Sequence, residues 1–360
     1  MAAKHRKFLE FVALLLLAIG IVWWFGRSLD WTQVKDALFT SDWRLIAGGA
    51  LIVLGGYLWR TVRWRAFLEP LTKSKLREVW VATTVGYAAI LTLGRVGEVV
   101  RPLVLPMRDP RVRPAASFVT ILIERVYDSI TVLLLFAVNL VLFTPASGAS
   151  EFARARQIGF VLVAILFAFV ALLIAFRWRS EQLIGWIDRK IHGNSRVFGR
   201  LKHAIINFLQ QLATALGVLT SARELTVTVG WSLALWGSVG FGNLLVFRAF
   251  GLPFGVSETL FVLGWSMIGS AIPTPGGAAG AFHAVTGGAL ILLGVPREQA
   301  AAVAIIVHLV DFAPGALFGF FYFLRGDVTI SRLRLLISAT ERERAIQNDD
   351  LRPARSVKAA

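Results

Sequence analysis

The stretch 91-LTLGRVGEVVRPLVLPMRDPRVR-113 decides how this chain is read. Arg95, Glu98 and Arg101 stand within seven residues of one another, separated by Gly97 and preceded by Gly94, in a chain that is 56% hydrophobic. An ordinary soluble surface has no need to hide charges in an apolar run. A membrane interior tolerates them only where they are paired or face a water-filled cavity.

Composition supports the membrane reading. Only 17% of the residues are charged, and several apolar runs reach the length of about 18 residues that crosses the hydrocarbon core. The chain has no cysteine, which excludes disulfides and thiolate metal sites, and its five histidines form no zinc-type pattern. No nucleotide-binding motif occurs. No cofactor, metal or catalytic residue is expected. The net charge of +16 invites nucleic acid, but basic cytoplasmic loops are the simpler cause.

Spans are expected at 8–25, 43–61, 118–143, 157–177, 229–250 and 300–324. The first has a basic start like a signal peptide but is too long and lacks a small-residue cleavage site, so it is read as a retained helix. Residues 207-NFLQQLATALGVLTSAREL-225 read as an amphipathic helix at the membrane surface. Trp23, Trp24, Trp43, Trp59, Trp64 and Trp80 are expected as interfacial anchors near span ends.

Two regions are too interrupted to be simple spans: about 79–105 and about 257–294, the latter built around 270-SAIPTPGGAAGAFHAVTGG-288. With the N-terminus inside and each interrupted region leaving by the face it entered, the inside segments carry 28 of the 38 Lys and Arg and the outside loops 6. That bias predicts cytoplasmic termini. It also exposes two halves, about 8–143 and about 157–325, with the same order of elements and opposite orientation. The expected fold is one all-α integral membrane domain over 1–360, with about six full spans and two re-entrant hairpins in an inverted repeat. A basic cytoplasmic loop is expected at 178–228 and a tail at 326–360.

Gly94 and Gly97 in the first hairpin, and Gly276, Gly277 and Gly280 in the second, permit tight turns and close helix approach. Pro273 and Pro275 are expected to stop a helix and hold PTPGG extended. In 118-FVTILIERVYDSITVLLLF-136, Glu124 and Asp128 are four apart and share a helix face, with Arg125 beside Asp128. Arg95, Arg101 and Arg125 against Glu98, Glu124 and Asp128 sum to zero. Each would cost about 2.5–3.5 kcal/mol if left unpaired in the membrane. The six therefore read either as a lock that fastens the hairpin or as a site whose arginines also bind a head-group phosphate. In the second half, His283 and His308 stand in corresponding positions, and His308 and Asp311 are close enough in sequence to touch. They are expected to form the outer-facing part of the same route, or else to be polar packing groups.

These residues resemble a known family, the lysylphosphatidylglycerol synthase transmembrane-region family, the flippase-type domain of bacterial multiple-peptide-resistance proteins. The resemblance runs from about residue 8 to 325, through 93-LGRVGEVVRPLVL-105, 124-ERVYD-128, 273-PTPGGAAGAFH-283 and 292-LLGVPREQAAAVAIIVHLVD-311. The sequence differs from many members in Leu93-Gly94, where they carry Pro, and in the extra Ala and His283 after the second glycine signature. The resemblance implies a lipid flippase moving a phospholipid or polyisoprenoid-linked head group between leaflets of a bacterial cytoplasmic (inner) membrane. Membrane lipid is the implied partner, homo-oligomerisation is left open, and nucleic acid is excluded. Aminoacyl transfer is not expected, because about 35 residues follow the last span. The alternatives are an intramembrane lipid-modifying transferase, an accessory subunit that transports nothing, and a small-solute transporter.

Overall fold

A computed structural model describes residues 29–69, 72–142, 149–190, 206, 209–210, 213, 222–272 and 275–326. The regular elements described there are helical. A short helix α1 (Trp31–Thr40) is capped by Asp30, whose side chain accepts from the backbone N–H of Thr32 and Gln33. Helix α2 (Trp43–Leu68) starts at Asp42, which caps the N–H of Arg44 and donates its own N–H to the Ala249 carbonyl at 2.9 Å. Helix α3 (Leu76–Leu93), a 3-10 turn (Gly94–Val99) and α4 (Val100–Arg108) form the first hairpin. It is followed by α5 (Pro114–Leu142) and α6 (Ala149–Lys190). Then come α7 (Ala222–Ala249), the second hairpin α8 (Val256–Ala271) and α9 (Pro275–Leu292), and α10 (Arg297–Leu324).

Three of these helices are long and apolar enough to cross a membrane: Trp43–Leu68, Thr226–Ala249 within α7, and Arg297–Leu324. They match three of the spans read from the sequence. The expected first span, the amphipathic piece apart from residues 209, 210, 213 and 222–225, and the tail beyond Gly326 lie outside the described residues. The boundaries of the expected basic loop move. Helix α6 continues unbroken to Lys190, and α7 already begins at Ala222.

Glycine sets the first turn. Gly94 has a φ of +66°, a backbone conformation that side-chain-bearing residues rarely adopt. A Cβ on Gly97 would collide with the backbone of Ala89 and Ile90, so the turn folds directly onto α3. The second hairpin differs from expectation. PTPGG is not extended throughout: Pro275 begins α9, and Gly276, Gly277 and Gly280 lie within that helix, while Pro273 falls outside the described residues. Proline suits a first helical position, where its missing N–H has no partner to lose.

Helices α2 and α7 pack closely over small residues. A Cβ on Gly49 would stand 2.8 Å from the Gly242 carbonyl oxygen, and one on Gly242 would stand 2.6 Å from Val53 Cγ2. Such contacts replace hydrophobic driving force in a lipid environment. Around this pair, α3 packs on α10, α8 on α5, α2 on both α5 and α10, and α7 on both of those as well. Helix α6 carries an exposed apolar band that includes Val161, Ile165, Phe167, Phe169 and Leu172, as a lipid-facing surface requires.

Candidate functional site

The site is built on α2 and α5. Glu124 and Asp128 sit one helical turn apart on α5, and both are buried among guanidinium groups. Two of those groups were not predicted. Arg60 and Arg63, expected in the basic segment after the second span, lie inside α2, which continues to Leu68 and buries both. Arg65, off that face, is exposed. Trp64, expected as an interfacial anchor, is completely buried, with the Arg101 guanidinium 4.2 Å above its ring.

The arginines fall into two groups by distance. Arg63 Nη2 lies 2.6 Å from Asp128 Oδ1, and Arg63 Nη1 donates to Ser232 Oγ at 2.9 Å. Arg101 Nη1 donates to Glu124 Oε1 at 2.7 Å, and its Nη2 reaches Thr83 Oγ1 at 3.4 Å. These are short, buried, charge-assisted hydrogen bonds. Arg60 is looser, at 3.5 Å from Asp128 and 3.6 Å from Glu124. Arg125 is looser still, at 3.7 Å from Glu124 and 4.0 Å from Asp128, with its side chain 31% exposed. Trp236 Nε1 completes the cluster by donating to Asp128 Oδ1 at 3.1 Å.

The loose pair faces a cavity of about 360 Å³ between the two halves of the chain. Arg60, Arg125, Glu98, Asp128 and Asp311 line it together with an aromatic wall, and Arg63, Arg101 and Glu124 lie behind that lining. The cavity reaches the surface beside Ala271, which is exposed. Arg60 sits 5.1 Å from the centre of the Tyr87 ring, so one of its faces is already stabilised by an aromatic quadrupole.

The structure brings the first-half candidates together as a cluster around Glu124 and Asp128, with Glu98 at its cavity edge. The side chain of Arg95 lies outside the described residues. Of the second-half candidates, Asp311 is the one among the residues that line the cavity. His283 and His308 pack edge to face, with ring centres 4.9 Å apart, in an aromatic box with Phe282 and Phe312. Asp311 turns instead to the cavity, where its carboxyl meets the Asn243 side chain and feels the charge of Arg60.

Sequence reading missed Arg60, Arg63, Trp236 and the tyrosines of the wall. A usable signal was present for two of them. In 58-LWRTVRWR-65, Arg60 and Arg63 are three apart with Trp64 beside them, while Arg65 falls on another face.

At the base of the first hairpin, outside the spanning segments, Asp109 accepts two hydrogen bonds from Arg111, both at 2.8 Å, and one from Ser74 at 2.9 Å. The Arg111 bonds hold its carboxyl well below the usual range, at about 2, against a small opposing effect of burial. Arg108 and Glu78, 2.5 Å apart, tie α4 to α3 one turn further in.

Residues 11–319 match the family model described as the lysylphosphatidylglycerol synthase TM region. The chain is also similar to a protein named "UPF0104 membrane protein" from Methanothermobacter thermautotrophicus (strain Delta H). The two are 24% identical over 332 residues, covering 88% of this chain and 94% of the relative.

Proposed function

Because the chain belongs to the lysylphosphatidylglycerol synthase transmembrane-region family, we propose that it is a lipid translocase. It carries the head group of a phospholipid or polyisoprenoid-linked lipid through the cavity between the halves while the acyl or prenyl tails stay in the bilayer. The observation that carries this reading is the division of the arginines. Arg63 and Arg101 hold the acids at 2.6 and 2.7 Å. Arg60 and Arg125 contact the same acids only at 3.5 to 4.0 Å and line the cavity. A guanidinium that is anchored but not saturated can exchange its carboxylate for a phosphate at little cost, and its planar fork suits that anion.

Several features support the rest of the reading. Two pairs of packing contacts map onto each other when the halves are exchanged: α3 on α10 corresponds to α8 on α5, and α2 on α10 to α7 on α5. This is the pattern expected of an inverted repeat centred on the α2–α7 contact. Helices of 9 and 16 residues span about 14 and 24 Å, short of the roughly 30 Å hydrocarbon core, as re-entrant hairpins would be. With Arg60 and Arg63 removed from the loop count, the inside segments still hold 26 basic residues against 6 outside. That bias supports cytoplasmic termini. An open cavity beside Glu98 argues against a purely accessory subunit.

The test is reconstitution in liposomes containing a head-group-reporting fluorescent phospholipid, with exposure followed by a membrane-impermeant quencher. Arg60→Gln and Arg125→Gln should each slow transfer by roughly tenfold or more, the effect of losing one charge-assisted bond of about 1.5–3 kcal/mol. Wild-type transfer by both variants, eluting as folded protein, would refute the assignment.

A further inference from the structure

The acid on the opposite wall of the cavity has no use in the phosphate contact. Asp311 lines the cavity, and its Oδ1 is buried with no hydrogen-bond partner. Asn243 meets the carboxyl from α7, and the Tyr57 hydroxyl donates at 2.7 Å to the Asp311 backbone carbonyl, fixing the helix there without satisfying the side chain. Arg60 is the cation whose charge it feels. A carboxyl group withdrawn from water in this way either takes up a proton or pairs with a cation, and an ammonium group entering the cavity would supply the second.

The surroundings select which cation. Tyr57, Tyr87, Phe312 and Phe282 all line the cavity and touch one another in sequence, with ring centres 4.7, 6.3 and 6.3 Å apart. Arg60 already occupies a face of Tyr87, which shows that this wall accepts an organic cation. An acid beside aromatic faces is the chemistry that recognises an ammonium group.

Resting on the translocase reading, we infer that the cavity takes a zwitterionic head group, with the phosphate at Arg60 and Arg125 and an ammonium group at Asp311. The ligand class is an aminophospholipid of the ethanolamine type. Asp311 is then the residue that sets head-group specificity, and it belongs to the opposite half of the molecule from the arginines. Each half supplies one pole of the site.

The experiment compares two fluorescent lipids with the same tails, one with a free ethanolamine head group and one with its amine acetylated, in liposomes containing the whole protein. The wild type should move the free amine about tenfold faster. Asp311→Asn should move the two at equal rates by slowing only the free amine. Arg60→Gln should slow both and keep their ratio. Equal wild-type rates for the two lipids overturn the inference, and if Arg60→Gln still slows both, the translocase reading survives it. Absence of wild-type transfer, or no effect of Arg60→Gln, overturns both together. A binding measurement removes dependence on turnover and on variants that fold poorly. Trp236 lines the cavity, so its fluorescence in the detergent-solubilised wild type should respond to phosphoethanolamine at concentrations at least tenfold below those of glycerol phosphate. Equal responses would contradict the assignment.

Discussion

Each of the two hairpins packs against the long helix that follows the other, and they are held by different forces. The first is fastened by charge. Arg101 on α4 reaches Glu124 on α5 at 2.7 Å, and Arg108 is tied to Glu78 across the hairpin itself. The second is fastened by close approach and neutral contacts. A Cβ on Gly269 would stand 3.0 Å from the Ala281 carbonyl oxygen, Ser266 and Thr286 share a hydrogen bond at 2.8 Å, and His283 packs on His308. Buried ion pairs are costly to break by removing one partner, while neutral close packing is sensitive to added volume. The first hairpin is therefore the wall of the cavity held by charge, and the second is the wall held by packing.

The largest expected effect breaks the charged wall. Glu124→Gln leaves Arg101 without its buried carboxylate and should cost about 3–5 kcal/mol. In detergent this would appear as a large fall in Tm or loss of folded protein, and an unchanged Tm would show that the first hairpin is not held by charge. A smaller effect tests the neutral wall. Gly269→Val forces bulk between α8 and α9 and should destabilise by about 1–3 kcal/mol through overpacking. If it costs as much as Glu124→Gln, the contrast between the hairpins fails.

The smallest effect concerns the base of the first hairpin. Asp109 has a folded-state pKa of about 2, below its ordinary value of 3.8. A depressed carboxyl pKa contributes stability that is fully present above the unfolded value and is lost as pH falls through the folded one. Asp109→Asn should lower Tm by a few degrees at neutral pH, and the gap from wild type should close between about pH 4 and pH 2. A gap that stays constant over that range would remove Asp109 from the account.

Much of the charged wall was legible because charge in an apolar run is conspicuous. Glu124, Arg125 and Asp128 stand at helical spacing within a span, and Gly94 and Gly97 mark a turn that needs both a positive φ and close backbone approach. The spacing of Arg60 and Arg63 shows that they share a face but not that this face turns inward, for a physical reason. Near a span end, arginine can extend to the membrane surface as readily as it can turn inward, and composition does not distinguish the two. The inward choice is made by Glu124 and Asp128, more than sixty residues away. Asp311 was found as a polar residue of the second half, but nothing in the sequence shows that it lines the cavity while His308 packs against Phe282 and Phe312.

The most direct test of the central claim is a cryo-EM structure of the protein in nanodiscs of native lipid extract, read for phosphate density. The account predicts a lipid phosphate in the cavity within hydrogen-bond distance of Arg60 and Arg125, with Arg63 and Arg101 still on their carboxylates. A lipid-free cavity in which Arg60 and Arg125 close fully onto Glu124 and Asp128, with phosphates only around the outer surface, would contradict it.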